Sequence, residues 1–348
     1  MLLVKRALVY GYANARTKAM KALLLPAAKI REMVSVRTPG EVAELLQDTP
    51  YREDVTALSA AYAGAELVER ALSRNLLRTA NKLLRISPPQ GREVLWRLLR
   101  RWDVSDLKTL LVAKHAGEPA AALQGRLVGL GPAGRLARLL QAKDVPSLVG
   151  ELEPEYQGEL APLLKEYAAS RDILLLLNAL DRFYFTNLAQ SAGITDEPAV
   201  AALINSEMDA KNISTILRAK SAGVPAEKIV ELLISGGSLG KAVLEEAAAA
   251  ADVKSAAALL QKAARADFSD ALAKYAATGH VAHFEIALEK AVMRRVVKTM
   301  RLAVLSLAAI LSFLYLKEME VGNIRKIVRG KEYELPREKV EEMIYVVG

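Results

Sequence analysis

The chain has 348 residues, with 48 Lys and Arg against 40 Asp and Glu, a net charge of +8 and no cysteine. Disulfides, thiol nucleophiles, thiolate-bound zinc and iron–sulfur clusters are therefore excluded. Apolar residues make up 52% and aromatic ones only 5%, which favours helices over sandwiches or barrels, and this length can bury a large core.

Residues 1–37 carry eight Lys and Arg and one acid, and read as a basic N-terminal helical arm packed on the body. Lys5 and Arg6 interrupt the first apolar stretch and no small-residue cleavage site follows, so no signal peptide is expected. Residues 38–143 hold sixteen basic and eleven acidic residues, 144–250 eight and sixteen, and 251–348 sixteen and twelve. A nucleic-acid binder more often keeps one sign along its length, so no nucleic-acid partner is expected. A positive start and a negative middle fit a protein with two different partner surfaces.

A period of about 108 residues runs through the chain. Ala71-Leu72-Ser73-Arg74 aligns with Ala179-Leu180-Asp181-Arg182 and with Ala287-Leu288-Glu289-Lys290. A second block repeats downstream. Asp103, Leu107, Leu110, Leu111, Lys114 and Pro119 correspond to Asp209, Ile213, Ile216, Leu217, Lys220 and Pro225, and to Glu320, Ile324, Ile327, Val328, Lys331 and Pro336. The apolar positions share one helix face. An acid towards the start and a Lys towards the end suit the helix dipole. Gly117 and Gly223 mark the helix end; Glu334 stands in their column, so that ending can differ. The expectation is an all-α chain of three tandem helical-bundle units, 38–143, 144–250 and 251–348, preceded by the arm. The columns Asp103, Asp209, Glu320; Lys114, Lys220, Lys331; and Arg74, Arg182, Lys290 are expected at equivalent structural positions.

Candidate chemistry is sparse. Gly236-Gly237-Ser238-Leu239-Gly240-Lys241 hints at a phosphate loop, but Ser235 stands where its first Gly belongs and Ala242 follows the Lys. Residues 129–135 repeat the pattern, so a turn between helices explains both. His280 and His283 lack further metal ligands, and with three histidines in all a His general base has few candidates. No catalytic, cofactor or metal site is expected. Arg97, Arg100 and Arg101, and Arg294, Arg295, Lys298 and Arg301, read as solvated rims or as surfaces for an anionic partner. The apolar run 302–316 is shorter than the roughly 20 residues of a spanning helix and reads as one buried core helix. At the C-terminus, Ile324, Ile327 and Val328 are expected to pack against Val340, Met343 and Ile344 and against that core helix.

The segments FEIALEKAVMRRV (284–296) and ILSFLYLKEMEVGNIRKIVRGKEYELPREKV (310–340) carry a resemblance, joined by FYFTNL (183–188), EMDAKNISTILRAK (207–220) and YGYANAR (10–16). The whole chain resembles the C subunit of the archaeal-type (A-type) ATP synthase, related to the d subunit of the vacuolar-type (V-type) ATPase. That resemblance implies three helical domains in a pseudo-threefold funnel, with no catalytic residues of its own. It implies a monomer within a larger complex, on the cytoplasmic side of the membrane and peripheral to it. There it would sit on the proteolipid ring, hold the D and F subunits of the central shaft, and couple ion flow to ATP synthesis. The alternative reading is a helical-repeat scaffold for unrelated partners.

Overall fold

Three helix starts are capped by a side chain of the preceding residue. Thr38 accepts from the Glu41 amide while Glu41 reaches back to the Thr38 amide. Asp144 accepts from the Ser147 amide and Asp252 from the Ser255 amide. Each satisfies donors that the first turn leaves free. The boundaries 37/38 and 143/144 fall immediately before two of these caps, and 250/251 one residue before the third. The computed structural model describes residues 2–123, 127–132, 134–191, 193–195 and 197–346, and among them there is no strand.

In order, the helices are α1 Leu2–Lys21, α2 Ala27–Ser35, α3 Pro39–Leu46, α4 Arg52–Leu58, α5 Gly64–Ile86, α6 Pro89–Ala116, α7 Arg135–Gln141, α8 Val145–Gly150, α9 Pro154–Leu160, α10 Leu164–Ser170 and α11 Leu174–Ser191. There follow α12 Pro198–Ser221, α13 Ala226–Glu231, α14 Lys241–Ala249, α15 Val253–Ala264, α16 Ser269–Thr278, α17 Ala282–Leu302, α18 Leu307–Glu332 and α19 Arg337–Met343. The chain divides into two compact units, residues 15–184 with 316–348, and residues 1–14 with 185–315.

In the first of these units, α5 packs on α3, α4 and α6, α6 on α8, and α19 on α2. The C-terminal half of α18 joins the same unit. Glu69 on α5 takes Arg325 at 2.9 Å and Arg329 at 3.0 Å, and Arg325 also donates to Ser73. Gly330 lets α19 close in, because a Cβ there would overlap Val340. Ile324, Ile327, Val328 and Val340 are buried, Met343 and Ile344 half-buried.

In the second unit, α12 packs along α17 and α15, and α14 on α15 and α13. Ile213, Ile216 and Leu217 meet Leu260, Phe268, Phe284 and Leu288 in one apolar core. The run 302–316 is not one helix, contrary to expectation. Helix α17 ends at Leu302 and α18 begins at Leu307. Leu302 and Val304 are 74% and 67% exposed, and Leu305 has φ +52°. The break is held from outside the run. Asn14 donates to the Ser306 carbonyl at 3.1 Å. The buried Glu197 carboxylate accepts from the Leu307 and Ala308 amides at 3.1 and 3.2 Å. A carboxylate on two free first-turn amides starts a new helix there.

Candidate functional site

The expected acid and lysine columns lie on the three long helices α6, α12 and α18, and the column of Arg74, Arg182 and Lys290 on α5, α11 and α17. Asp103, Asp209 and Glu320 sit mid-helix and buried, so the dipole account of the acids does not hold. Their stabilisation is local instead. Asp103 takes Arg135 at 2.6 Å and the Tyr156 hydroxyl at 2.6 Å. Arg135 bridges on to Glu153 and pulls its carboxyl below the ordinary value. Burial pushes the Asp103 carboxyl up, against the Arg135 charge. Glu320 takes the Tyr51 hydroxyl at 2.8 Å, Lys317 at 2.8 Å and the Leu25 amide. The Lys317 ammonium lies 4.1 Å from the Tyr51 ring centre. A buried ion pair keeps its charges only when such further donors complete it.

Asp209 is satisfied by main chain. Its Oδ1 accepts from the Ser238 amide at 2.8 Å and the Leu239 amide at 3.0 Å. This explains the glycine-rich segment. Gly236 and Gly237 have φ +112° and +88°, and a Cβ on Gly237 would overlap Asp209 Oδ1. The loop that hinted at a phosphate site wraps the chain's own carboxylate.

The lysines come near the helix ends. Lys114 donates to the Leu140 carbonyl at 2.8 Å and Lys220 to the Ala248 carbonyl at 2.8 Å. Lys331 donates to the Val34 carbonyl at 3.0 Å and to Val36. Each ammonium thus caps the end of a short helix, respectively α7, α14 and α2, just before one of the N-caps described above. Burial lowers the Lys331 pKa. The third column is less uniform: Arg74 reaches Asp54 at 3.4 Å, Arg182 is exposed and Lys290 is half-buried.

Sequence reasoning missed a further column three residues after each acid. Asp106 accepts from the Val128 and Gly129 amides at 2.9 and 2.7 Å. Asn212 exchanges two hydrogen bonds with Ile234, both at 2.9 Å. Asn323 does the same with Tyr345, at 2.7 and 3.0 Å. The signal was available, since the offsets equal those of the acids. Desolvation pushes the Asp106 carboxyl up to about 6.

The remaining candidates are placed as follows. Arg97 pairs with Glu93, Arg100 with Glu155 and Arg101 with Glu318, so this cluster is ion-paired and not a solvated rim. Arg294, Arg295, Lys298 and Arg301 are exposed. His280 is exposed, and Thr278 Oγ1 lies 3.2 Å from His283 Nε2. Among the described residues no group of His, Asp and Glu could hold a metal ion.

A family profile described as ATP synthase (C/AC39) subunit matches residues 13–343. The chain belongs to this family. It is similar to the A-type ATP synthase C subunit of Thermoplasma acidophilum, with 30% identity over 330 residues, 91% of this chain and 92% of that protein. It is also similar to the C subunit of Pyrococcus horikoshii, with 30% identity over 345 residues, 96% and 90% of the two chains. For that of Methanocaldococcus jannaschii the figures are 27% over 342 residues, 96% and 86%. In this C/AC39 chain the segment NIRKIVRGK has a structural account. Asn323 ties down Tyr345, Arg325 and Arg329 hold Glu69, Gly330 admits Val340 and Lys331 caps α2. Among the described residues no helix is long and apolar enough to cross a membrane.

Proposed function

We propose that the chain is a non-catalytic central-stalk component of a rotary A-type/V-type ATP synthase. It couples the membrane proteolipid ring to the D and F subunits of the shaft, on the cytoplasmic side and peripheral to the membrane. The coupled process is proton- or sodium-driven ATP synthesis, or ATP-driven ion transport. The observation that carries this reading is the similarity to A-type ATP synthase C subunits over nearly the whole of both chains. A coupling body must resist deformation, and buried carboxylates tied by two or three donors each support that. In the unit formed by 1–14 and 185–315, Leu8, Tyr12, Leu302 and Val304 are exposed apolar residues. Asn14 ties their two segments together at Ser306, and Arg301 stands exposed beside them. Apolar side chains rimmed by a cation suit a partner at the polar edge of a membrane.

The proposal extends to the triplication. Asp103, Asp209 and Glu320 are equivalent, as are Lys114, Lys220 and Lys331, and Arg74, Arg182 and Lys290, in tandem units near 38–143, 144–250 and 251–348. The shared lysine-to-carbonyl cap supports it.

The test is co-purification. The full chain is mixed with detergent-solubilised proteolipid ring and, separately, with a D–F complex. It is expected to bind each and to join the two. A ring and shaft that assemble equally well without it would sink the reading.

A further inference from the structure

Two of the three buried carboxylates are covered by a tyrosine hydroxyl, Tyr156 on Asp103 Oδ2 and Tyr51 on Glu320 Oε1. Tyr156 also packs on Phe183, with ring centres 5.2 Å apart. At Asp209 both aromatics are missing. Ala264 follows Tyr156 by 108 residues, and Ala291 follows Phe183 by the same interval. In place of two rings there is an open cleft of about 190 Å³, lined by Asp209, Ser206, Ala264, Ala291 and the arginines 265, 294 and 295.

Asp209 is 8% exposed, and its two hydrogen bonds both land on Oδ1. The Ser238 hydroxyl also favours its charged form, but no tyrosine hydroxyl lies on its second oxygen as one does on Asp103 and Glu320. Arg295 is turned to Ser206 Oγ and so does not neutralise that oxygen by a direct bond.

We propose that this cleft receives a tyrosine side chain from an acidic segment of a partner protein, its hydroxyl donating to Asp209 Oδ2. Three features select that occupant. An anion placed deep would meet the Asp209 charge, and a cation would meet three arginines; a phenol is neutral and donates. The volume lies below the roughly 300–1,000 Å³ of small-molecule sites, so one side chain fits better than a cofactor. Arg265 and Arg294 are exposed around the cleft, where carboxylates flanking the tyrosine would meet them. A tyrosine with an apolar body and a polar tip is the side chain that such a half-polar cleft rewards. Burial raises the Asp209 carboxyl above its ordinary value, as it does at Asp103; the Leu239 and Ser238 amides and the Ser238 hydroxyl partly offset the rise at Asp209, the Arg135 charge and the Tyr156 hydroxyl at Asp103. The inference goes beyond ring–shaft coupling and stands or falls without it.

The experiment uses the full chain and the peptide acetyl-Glu-Tyr-Glu-amide at low salt, read by calorimetry and by line shifts of labelled alanine methyls. Binding is expected with shifts at Ala264 and Ala291, at least tenfold tighter than acetyl-Glu-Phe-Glu-amide. Ala264→Tyr should fill the cleft from within, raise the melting temperature and abolish binding. Ala291→Phe, on the neighbouring helix, should abolish it independently, which guards against misfolding of the first variant. No detectable binding, equal binding of the Phe peptide, or binding retained in both folded variants would overturn the proposal. p-Cresol binding as tightly as the peptide would overturn the assignment to an acidic segment.

Discussion

Glu334 holds a backbone conformation that glycine holds elsewhere in the chain. Gly117 and Gly223 have φ +72°, and the next amide reaches back five residues, to Ala113 and Ala219. At Glu334 φ is +53°, and Leu335 reaches back to Gly330 in the same way. The ending expected to differ is geometrically alike, on a residue that carries a left-handed penalty of about 1–2 kcal/mol. Glu334→Gly should therefore stabilise the chain by roughly 1 kcal/mol, read as a raised urea midpoint with unchanged slope. Gly237→Ala should do the reverse, by at least about 2 kcal/mol, because its Cβ would collide with the oxygen that the loop serves. Asp106 gives a pH signature. Its carboxyl rises from an ordinary 3.8 to about 6 because burial outweighs the Gly129 and Val128 amides. The folded state then binds the proton more tightly than the unfolded one. Stability should fall as pH rises from 3.8 to about 6 and stay flat above, a loss on the order of 2–3 kcal/mol. Asp106→Asn, the residue type at 212 and 323, should remove that slope in melts taken across this window. An unchanged slope would show that another group titrates there.

Among the elements, α18 depends most on distant partners. Its start was invisible in the run 302–316, where neither Gly nor Pro breaks the apolar pattern. The stop is imposed by Asn14 and Glu197, both far away in sequence. Its end is closed by α19, which packs on α2 and at Gly330, in the unit that does not contain residues 302–315. Deleting 334–348 removes the buried Val340, worth about 1.5–3 kcal/mol, and both Asn323–Tyr345 bonds. Calorimetry should show one early transition for the unit of 15–184 and 316–348, with the other unit melting as before. Lys331→Met should weaken the same transition by about 1 kcal/mol through loss of its two carbonyl contacts on α2. A single unshifted transition in the truncated chain would refute this account of α19.

For the whole molecule, charge distribution is the property that reaches partners. The excess of acids in 144–250 and of bases in 1–143 predicts salt-sensitive association. Raising salt from 0.05 to about 0.5 M should weaken binding to at least one partner surface tenfold or more, because exposed pairs are screened over about 10 Å at 0.1 M. Salt-independent binding to ring and shaft alike would contradict it.

Much of this was legible in one dimension. Helix content followed from an Ala- and Leu-rich chain poor in aromatics, because helix propensity is a local property. The acid and lysine columns were legible as positions, since a repeat keeps its spacing. Their roles were not. That Asp103 meets Arg135 and Tyr156, that Glu320 meets Tyr51, and that Asp209 instead faces a cleft beside Ala264 and Ala291 depends on contacts between residues 32 to 269 positions apart or on a side chain that is missing. The sequence by itself determined which residues form helices and which recur, because those are local energies. Only the tertiary structure decided which helix ends where and which buried charge is answered by what, because desolvation and close approach are properties of neighbours in space.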